Sequence, residues 1–223
     1  VGVTHFGADA YEVFDLFALR LADQSQGLDG LGHDEARVEP AQGDVFLAAG
    51  DPPVYVGFGS MSSRKPEETA DLVLQALART QQRAIILSGW SGLHKADLPD
   101  SVLMLDSVPF SWLFPRVAAV VHHGGAGTTA YGLRAGIPSV VIPFFADQPF
   151  WGQRVADLGV GPEPIPRKKL TVERLAQAIQ RAVTDQTMRQ RAANLGAKIQ
   201  AEDGIARAVA VVQQLETRGA AYR

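Results

Sequence analysis

Residues 120–129 read Val-Val-His-His-Gly-Gly-Ala-Gly-Thr-Thr, so that an apolar strand runs directly into glycines and then into hydroxyl residues. We predict that a helix begins at the end of this stretch. Glycines let the backbone approach a ligand closely, and the N–H groups at a helix start, with the positive end of its dipole, stabilise an anion. Thr128 and Thr129 would add hydroxyl donors. The stretch therefore predicts a strand–turn–helix unit that binds phosphate, although ordinary tight turns have similar sequences.

From about residue 53 onward, short apolar runs alternate with longer amphipathic segments, which is the pattern of parallel strands joined by crossover helices. The predicted strands are residues 54–58, 84–88, 102–105, 118–122 and 139–143. The predicted helices are residues 66–80, 148–158, 171–184 and 188–216, the last with a break near Gly204. We therefore predict the α/β class, with a Rossmann-like parallel sheet and helices on both of its faces.

Before residue 50 the pattern is weaker. Residues 1–6 could form a strand and residues 11–21 a helix, but residues 27–43 show no clear periodicity. This part of the chain is interpreted as a partial βα unit or a linker.

Composition narrows the classes of partner. The 223 residues are 46% hydrophobic and 20% charged, which is enough for a sizeable core. A net charge of −3 gives no reason to expect a nucleic-acid partner. The chain has no cysteine, no apolar run long enough to span a membrane and no secretory signal pattern. We therefore expect a cytoplasmic protein.

A second Gly-rich turn follows the first predicted strand, where residues 54–61 read Val-Tyr-Val-Gly-Phe-Gly-Ser-Met. In an open parallel sheet, ligands lie beyond the carboxyl ends of the strands, so this turn and the one near His123 could hold one pyrophosphate together. The alternative is that Gly57 and Gly59 only shape a turn. The spacing is neither a Walker A loop nor a complete dinucleotide fingerprint.

A third loop combines a carboxylate and an amide, since residues 143–149 read Pro-Phe-Phe-Ala-Asp-Gln-Pro. Asp147 and Gln148 can both accept hydrogen bonds from neighbouring hydroxyls, which is what binding a sugar ring requires. The alternative is that Asp147 only caps the helix that follows.

Together, these segments resemble the C-terminal, donor-binding domain of family 1 GT-B UDP-glycosyltransferases, in particular the sterol glucosyltransferase-like branch. The resemblance rests on residues 53–61, 108–115, 122–129 and 143–152, which occur in the family's order. It covers residues 50–161, about half of the chain. It implies that residues 51–223 are the donor domain and that residues 1–50 are a fragment of the acceptor domain or a linker.

The resemblance also implies roles for individual residues. The pyrophosphate would be surrounded by His123, Gly125, Gly127 and Thr128, with Ser60 approaching from the first loop. Asp147 and Gln148 would hold the sugar hydroxyls, and the backbone of Val108 would contact uracil. The full predicted donor set is Gly59, Ser60, Val108, His123, Gly124, Gly125, Gly127, Thr128, Thr129, Asp147 and Gln148. Ser107 stands where plant members place a stacking tryptophan, so the choice between UDP and dTDP stays open.

The implied reaction is inverting transfer of a hexose, with glucose expected, from a UDP-sugar to a hydroxyl of a lipophilic acceptor such as a sterol. The donor domain would stabilise the charge of the departing nucleoside diphosphate. No cofactor is implied, and the absence of any Asp-x-Asp pair argues against a required metal. The general base normally comes from the acceptor domain, which another chain could supply. His5 is the one candidate base that we name, and the catalytic residues are otherwise unassigned.

Other classes stay open. The chain could be a noncatalytic nucleotide-sugar-binding module or one subunit of a split transferase. A sugar-nucleotide epimerase would need acidic catalytic residues near the donor. A dehydrogenase would need a better fingerprint and an acidic residue at the end of the second strand, where Ser88 and Gly89 stand.

Overall fold

The computed structural model describes residues 40–59, 66–88 and 98–204, together with residues 206, 209 and 213. The strands are β1 (Val54–Gly57), β2 (Ala84–Leu87), β3 (Val102–Leu105), β4 (Ala119–His122) and β5 (Ser139–Val141). The helices are α1 (Pro40–Ala48), α2 (Pro66–Thr80), α3 (Phe110–Leu113), α4 (Ala126–Ala135), α5 (Gln148–Asp157), α6 (Val172–Thr184) and α7 (Gln186–Ala201). Short 3₁₀ turns cover Phe114–Arg116 and Arg167–Lys169.

The strands form one parallel sheet in the order β3-β2-β1-β4-β5. The strand order reverses between β1 and β4, where Gly57 pairs with His122. Loops that leave neighbouring parallel strands on the two sides of such a reversal form a crevice at the carboxyl edge. The predicted α/β class and parallel sheet are confirmed, and the two Gly-rich turns leave the sheet side by side.

Side chains alternate between the two faces of the sheet, and both faces are covered. Val56 and Val121 point to the face on which α2 and α6 pack. Tyr55 and Val120 point to the opposite face, toward α3 and the turn that follows it. Val141 lies on this second face among buried residues of α4 and α5. The predicted helices on both faces are therefore confirmed.

Boundaries differ little from the prediction, because long apolar periodicity is a strong signal. Helix α2 has the predicted limits, whereas β1, β2 and β5 end one or two residues earlier than expected. The last helix begins earlier than predicted, at Gln186, and is interrupted after Ala201 by non-helical Glu202 and Asp203, close to the expected break. The described residues 204, 206, 209 and 213 are helical again. The predicted strand at residues 1–6 and helix at residues 11–21 lie outside the described residues.

Helix α1 was not predicted. It begins at Pro40, inside the segment that shows no periodicity, and packs through Phe46 and Leu47 against the second face of the sheet. Its seating depends on a buried glycine, Gly43, which lies against Trp112. A glycine contact carries no hydrophobic periodicity, so the helix is not visible in the sequence pattern. The proposed domain boundary at residue 50 stays a prediction.

In the described part of the chain, no helix combines the length and the apolarity that crossing a bilayer requires.

Candidate functional site

The turn after β4 requires a glycine at position 124. Gly124 has a φ of +88°, which L side chains rarely adopt. A Cβ atom there would lie 2.7 Å from Cγ1 of Val141 and 3.0 Å from the carbonyl oxygen of Gln148. The turn leads into α4, whose N-cap, Gly125, has no side chain to cap the helix. No N-cap side chain therefore accepts from the first N–H groups of α4, which is a favourable arrangement for an anion.

His122 supports this turn from inside. Its side chain is fully buried, and its Nδ1 accepts a hydrogen bond of 3.1 Å from the Gly124 N–H. Burial, with a smaller contribution from His123, lowers the pKa of His122 to about 3. The ring is therefore neutral at pH 7 with its proton on Nε2, which has no hydrogen-bond partner among the described residues.

His123 lies where the two Gly-rich loops meet. A Cβ atom added at Gly59 would be 3.3 Å from its Cε1, and one added at Gly125 would be 2.4 Å from its Nε2. Burial lowers the pKa of His123, and the nearby Asp147 carboxylate partly opposes this. His123 is therefore mainly neutral at pH 7 and can offer a ring N–H, and all three predicted loops converge at its side chain.

Asp147 is exposed, and its carboxylate is oriented by Trp151, a residue that the sequence analysis missed. Its Oδ2 accepts a hydrogen bond of 2.9 Å from Nε1 of Trp151, which is almost completely buried one helical turn later. The carboxylate accepts no hydrogen bond from the first N–H groups of α5, so Asp147 does not cap this helix through its side chain. The spacing of four residues between an acceptor and a donor at a helix start was the available signal.

Gln148 supports the loop that carries Asp147. It is 5% exposed, and its Oε1 accepts hydrogen bonds from the N–H groups of Phe144 (2.8 Å) and Phe145 (3.2 Å). Its amide oxygen therefore shapes the loop, and the predicted contact of Gln148 with a sugar hydroxyl stays a prediction. In the same loop, Ala146 has a φ of +55°, a backbone strain of the kind that tightly determined ligand loops retain.

The residues at the start of α4 divide into two groups. Apart from its chain neighbours and the backbone of α4, no atom of the described residues lies within 4 Å of a Cβ atom placed at Gly127, and Thr128 beside it is half-buried. Thr129 is fully buried, and its Oγ1 donates a hydrogen bond of 2.9 Å to the carbonyl oxygen of Gly125. The prediction of a ligand contact from the Thr129 hydroxyl is corrected accordingly, because that hydroxyl stabilises the first turn of the helix.

Val108 follows β3 and packs with Tyr55, Leu113 and Phe114 in the core of the second face. It is 7% exposed, and the predicted contact of its backbone with uracil stays a prediction. The predicted residues Ser60 and His5 lie outside the described residues. Among the residues described, no group of three or more histidine, aspartate or glutamate side chains is placed to hold a metal ion.

We expect His122 to make the stability of the protein depend on pH. Its pKa is 6.5 when exposed and about 3 when folded, so the unfolded chain binds an extra proton between these pH values. The free energy of unfolding is therefore highest above pH 6.5, where His122 is neutral in both states, and falls as the pH is lowered toward 3. His122→Asn keeps an acceptor for the Gly124 N–H but does not titrate. Between pH 6 and pH 4, the free energy of unfolding, measured with urea, should fall by about 1.4 kcal/mol per pH unit more in the wild type than in the variant. Equal slopes would show that His122 titrates normally.

Comparisons with known proteins find similar sequences and similar folds. Residues 71–216 match the family model described as "Erythromycin biosynthesis protein CIII-like, C-terminal domain". The chain is 49% identical over 171 residues to Sterol 3-beta-glucosyltransferase UGT80A2 of Arabidopsis thaliana, covering 76% of this chain and 27% of that protein. It is 40% identical over 179 residues to O-mycaminosyltylonolide 6-deoxyallosyltransferase of Streptomyces fradiae, covering 79% of this chain and 42% of that protein.

Solved structures show the same fold. The glycosyltransferase VinC in complex with DTDP matches with a TM-score of 0.63 and 26% identity, covering 76% of this chain and 44% of that one. The calicheamicin glycosyltransferase CalG4 matches with a TM-score of 0.62 and 26% identity, covering 74% and 42%. The chain thus spans less than half the length of each of these relatives.

Proposed function

This chain belongs to the family of erythromycin biosynthesis protein CIII-like C-terminal domains of GT-B glycosyltransferases, and on that basis we propose that it binds a nucleotide-sugar donor. The reaction proposed for the whole protein is inverting transfer of a hexose from a UDP-sugar to a hydroxyl of a lipophilic acceptor. Donor binding is the part of this function that the described residues carry. We also propose that it needs no cofactor and no metal, and that the protein works in the cytoplasm.

The observation that carries the proposal is the meeting of two Gly-rich loops at an uncapped helix start. The ring of His123 lies against both Gly59 and Gly125, directly before the first turn of α4. A diphosphate here would accept hydrogen bonds from the free N–H groups of α4 and from His123. These donors are fixed before the ligand arrives, so they can stabilise the charge that develops on the departing diphosphate.

Asp147 extends the site beyond the diphosphate. It is close enough to His123 to influence the pKa of that ring, and the Trp151 indole orients its carboxylate. One carboxylate oxygen accepts the indole N–H, and we propose that the other accepts a hydroxyl of the transferred sugar. Val108 lies in the loop between β3 and α3, two residues before the helix, where its backbone would contact the base.

The names of the relatives favour particular substrates. The Arabidopsis relative is a sterol 3-beta-glucosyltransferase, which supports glucose as the sugar and a sterol as the acceptor. The Streptomyces relative transfers a 6-deoxyallosyl group, and the VinC structure holds DTDP, so dTDP-sugars are the second candidate donors.

Calorimetric titration of the 223-residue chain tests the proposal. The ligands are UDP, dTDP, UDP-glucose and NAD, each with EDTA and then with Mg²⁺ in place of EDTA. We expect UDP and UDP-glucose to bind with dissociation constants of roughly 1 µM to 1 mM, equally well with EDTA and with Mg²⁺. NAD should give no heat. Binding of NAD alone, or of no nucleotide at all, would contradict the proposed function.

A further inference from the structure

Helix α1 lies directly against the short helix that follows the proposed base-binding loop. Gly43 of α1 is buried, and a Cβ atom there would be only 3.0 Å from Cη2 of Trp112 in α3. Phe46 and Leu47 of α1 pack on the same apolar cluster as Trp112. Any larger side chain at position 43 would therefore push against the Trp112 indole.

Arg83 fixes the other end of α1 to the sheet. Its guanidinium lies 4.1 Å from the centre of the Phe46 ring and donates hydrogen bonds to the carbonyl oxygens of Phe46 and Asp51. The side chain passes close to Gly50, where a Cβ atom would be 3.2 Å from Nη1. Because its carboxyl end is held at the start of β2, α1 cannot easily move away from Trp112.

Trp112 in turn belongs to the helix that starts at the base-binding loop. The N–H groups of Trp112 and Leu113 both donate to the carbonyl oxygen of Pro109, each at 3.0 Å. The Arg116 guanidinium covers the outer side of the Trp112 ring at 5.1 Å and also donates to the Trp112 carbonyl oxygen. A displacement of Trp112 would therefore be passed to Pro109 and to its neighbour Val108.

We propose that α1 positions the nucleoside subsite through Trp112, so that seating of α1 and binding of the nucleoside are energetically coupled. This inference rests on the proposed function, because it takes the backbone of Val108 as the base contact. Coupling of this kind is reciprocal: a nucleoside should tighten the seating of α1, and a disturbed α1 should weaken nucleoside binding. Trp112 is a positioning residue here and does not touch the ligand itself.

In the alternative account, the position of α1 has no effect on nucleoside binding. Val108, Leu113 and Phe114 are all buried in the core and could hold the loop without help from Trp112. The two accounts differ in what happens when only the contact between Gly43 and Trp112 is disturbed.

The test uses two variants of the contact between α1 and α3. Gly43→Leu places a larger side chain against the Trp112 indole, and Trp112→Ala removes the indole. Val45→Ala is the matched control, since Val45 is on the same helix and 70% exposed. Each chain is titrated with UDP and with inorganic pyrophosphate, which lacks the nucleoside. Both contact variants should bind UDP about 10-fold more weakly, with pyrophosphate affinity unchanged within about 2-fold. The control should bind both ligands like the wild type.

Hydrogen exchange gives an independent readout on the same chains. UDP should slow exchange of the α1 amides in the wild type, pyrophosphate should not, and Trp112→Ala should abolish the effect of UDP. Unchanged UDP affinity in both contact variants, or equal losses for UDP and pyrophosphate, would overturn the inference. If the wild type binds no UDP, the proposed function itself fails.

Discussion

Replacing Gly124 with alanine is expected to cost about 100-fold in UDP affinity, equivalent to about 2.7 kcal/mol. An alanine at a φ of +88° is strained, and its Cβ atom would collide with Val141 and with the Gln148 backbone. The turn must shift, and the amides at the start of α4 shift with it. The same change should lower the free energy of unfolding by about 2 to 4 kcal/mol. Titration calorimetry and urea unfolding measure the two effects.

Gly127→Ala is the matched control for the effect on stability, because it adds the same methyl group three residues later. Outside the backbone of α4 and the chain neighbours, no atom of the described residues lies within 4 Å of that Cβ position, so the folded chain should be as stable as the wild type or slightly more stable. If the diphosphate occupies the open space beside Gly127, the methyl group should still weaken UDP binding by about 10-fold. Wild-type affinity in Gly127→Ala would mean that the ligand lies elsewhere, whatever Gly124→Ala does.

Asp147→Asn is expected to remove recognition of the sugar while keeping recognition of UDP. The variant has nearly the same shape, but it loses the charge that strengthens a hydrogen bond from a sugar hydroxyl. UDP-glucose affinity should fall by about 30-fold, equivalent to about 2 kcal/mol, whereas UDP affinity should stay within about 2-fold. Side-by-side titrations with UDP and UDP-glucose measure this difference.

Two further observations make the Asp147 prediction specific. Because the Asp147 carboxylate raises the pKa of His123 against the effect of burial, Asp147→Asn should move the NMR titration of His123 to lower pH. Trp151→Phe keeps an aromatic ring but removes the indole N–H that orients the carboxylate. It should therefore lower the affinity for UDP-glucose, but by less than Asp147→Asn does. Equal losses for UDP and UDP-glucose in Asp147→Asn would show that this residue does not face the sugar.

Much of the fold could be predicted because its signals are local. Helix α2 combines an apolar stripe with acidic residues in its first turn, and its limits match the prediction. The apolar strands ending at Gly57 and His122 are each followed by glycines, which is why the two loops could be assigned to one crevice. Helix α1 was missed because its seating on Trp112 and Arg83 involves residues far away in the chain.

The sequence by itself determined the α/β class, the parallel sheet, the positions of the three loops and the family, because strand periodicity, glycine turns and motif order are all written within short segments. Only the tertiary structure decided which side chains of those loops face the crevice. Thr129 and Gln148 are turned inward by hydrogen bonds to the backbone, and burial keeps His122 neutral. Hydroxyl, amide and imidazole groups serve equally well as ligand contacts or as loop supports, and only the packing around them selects between the two.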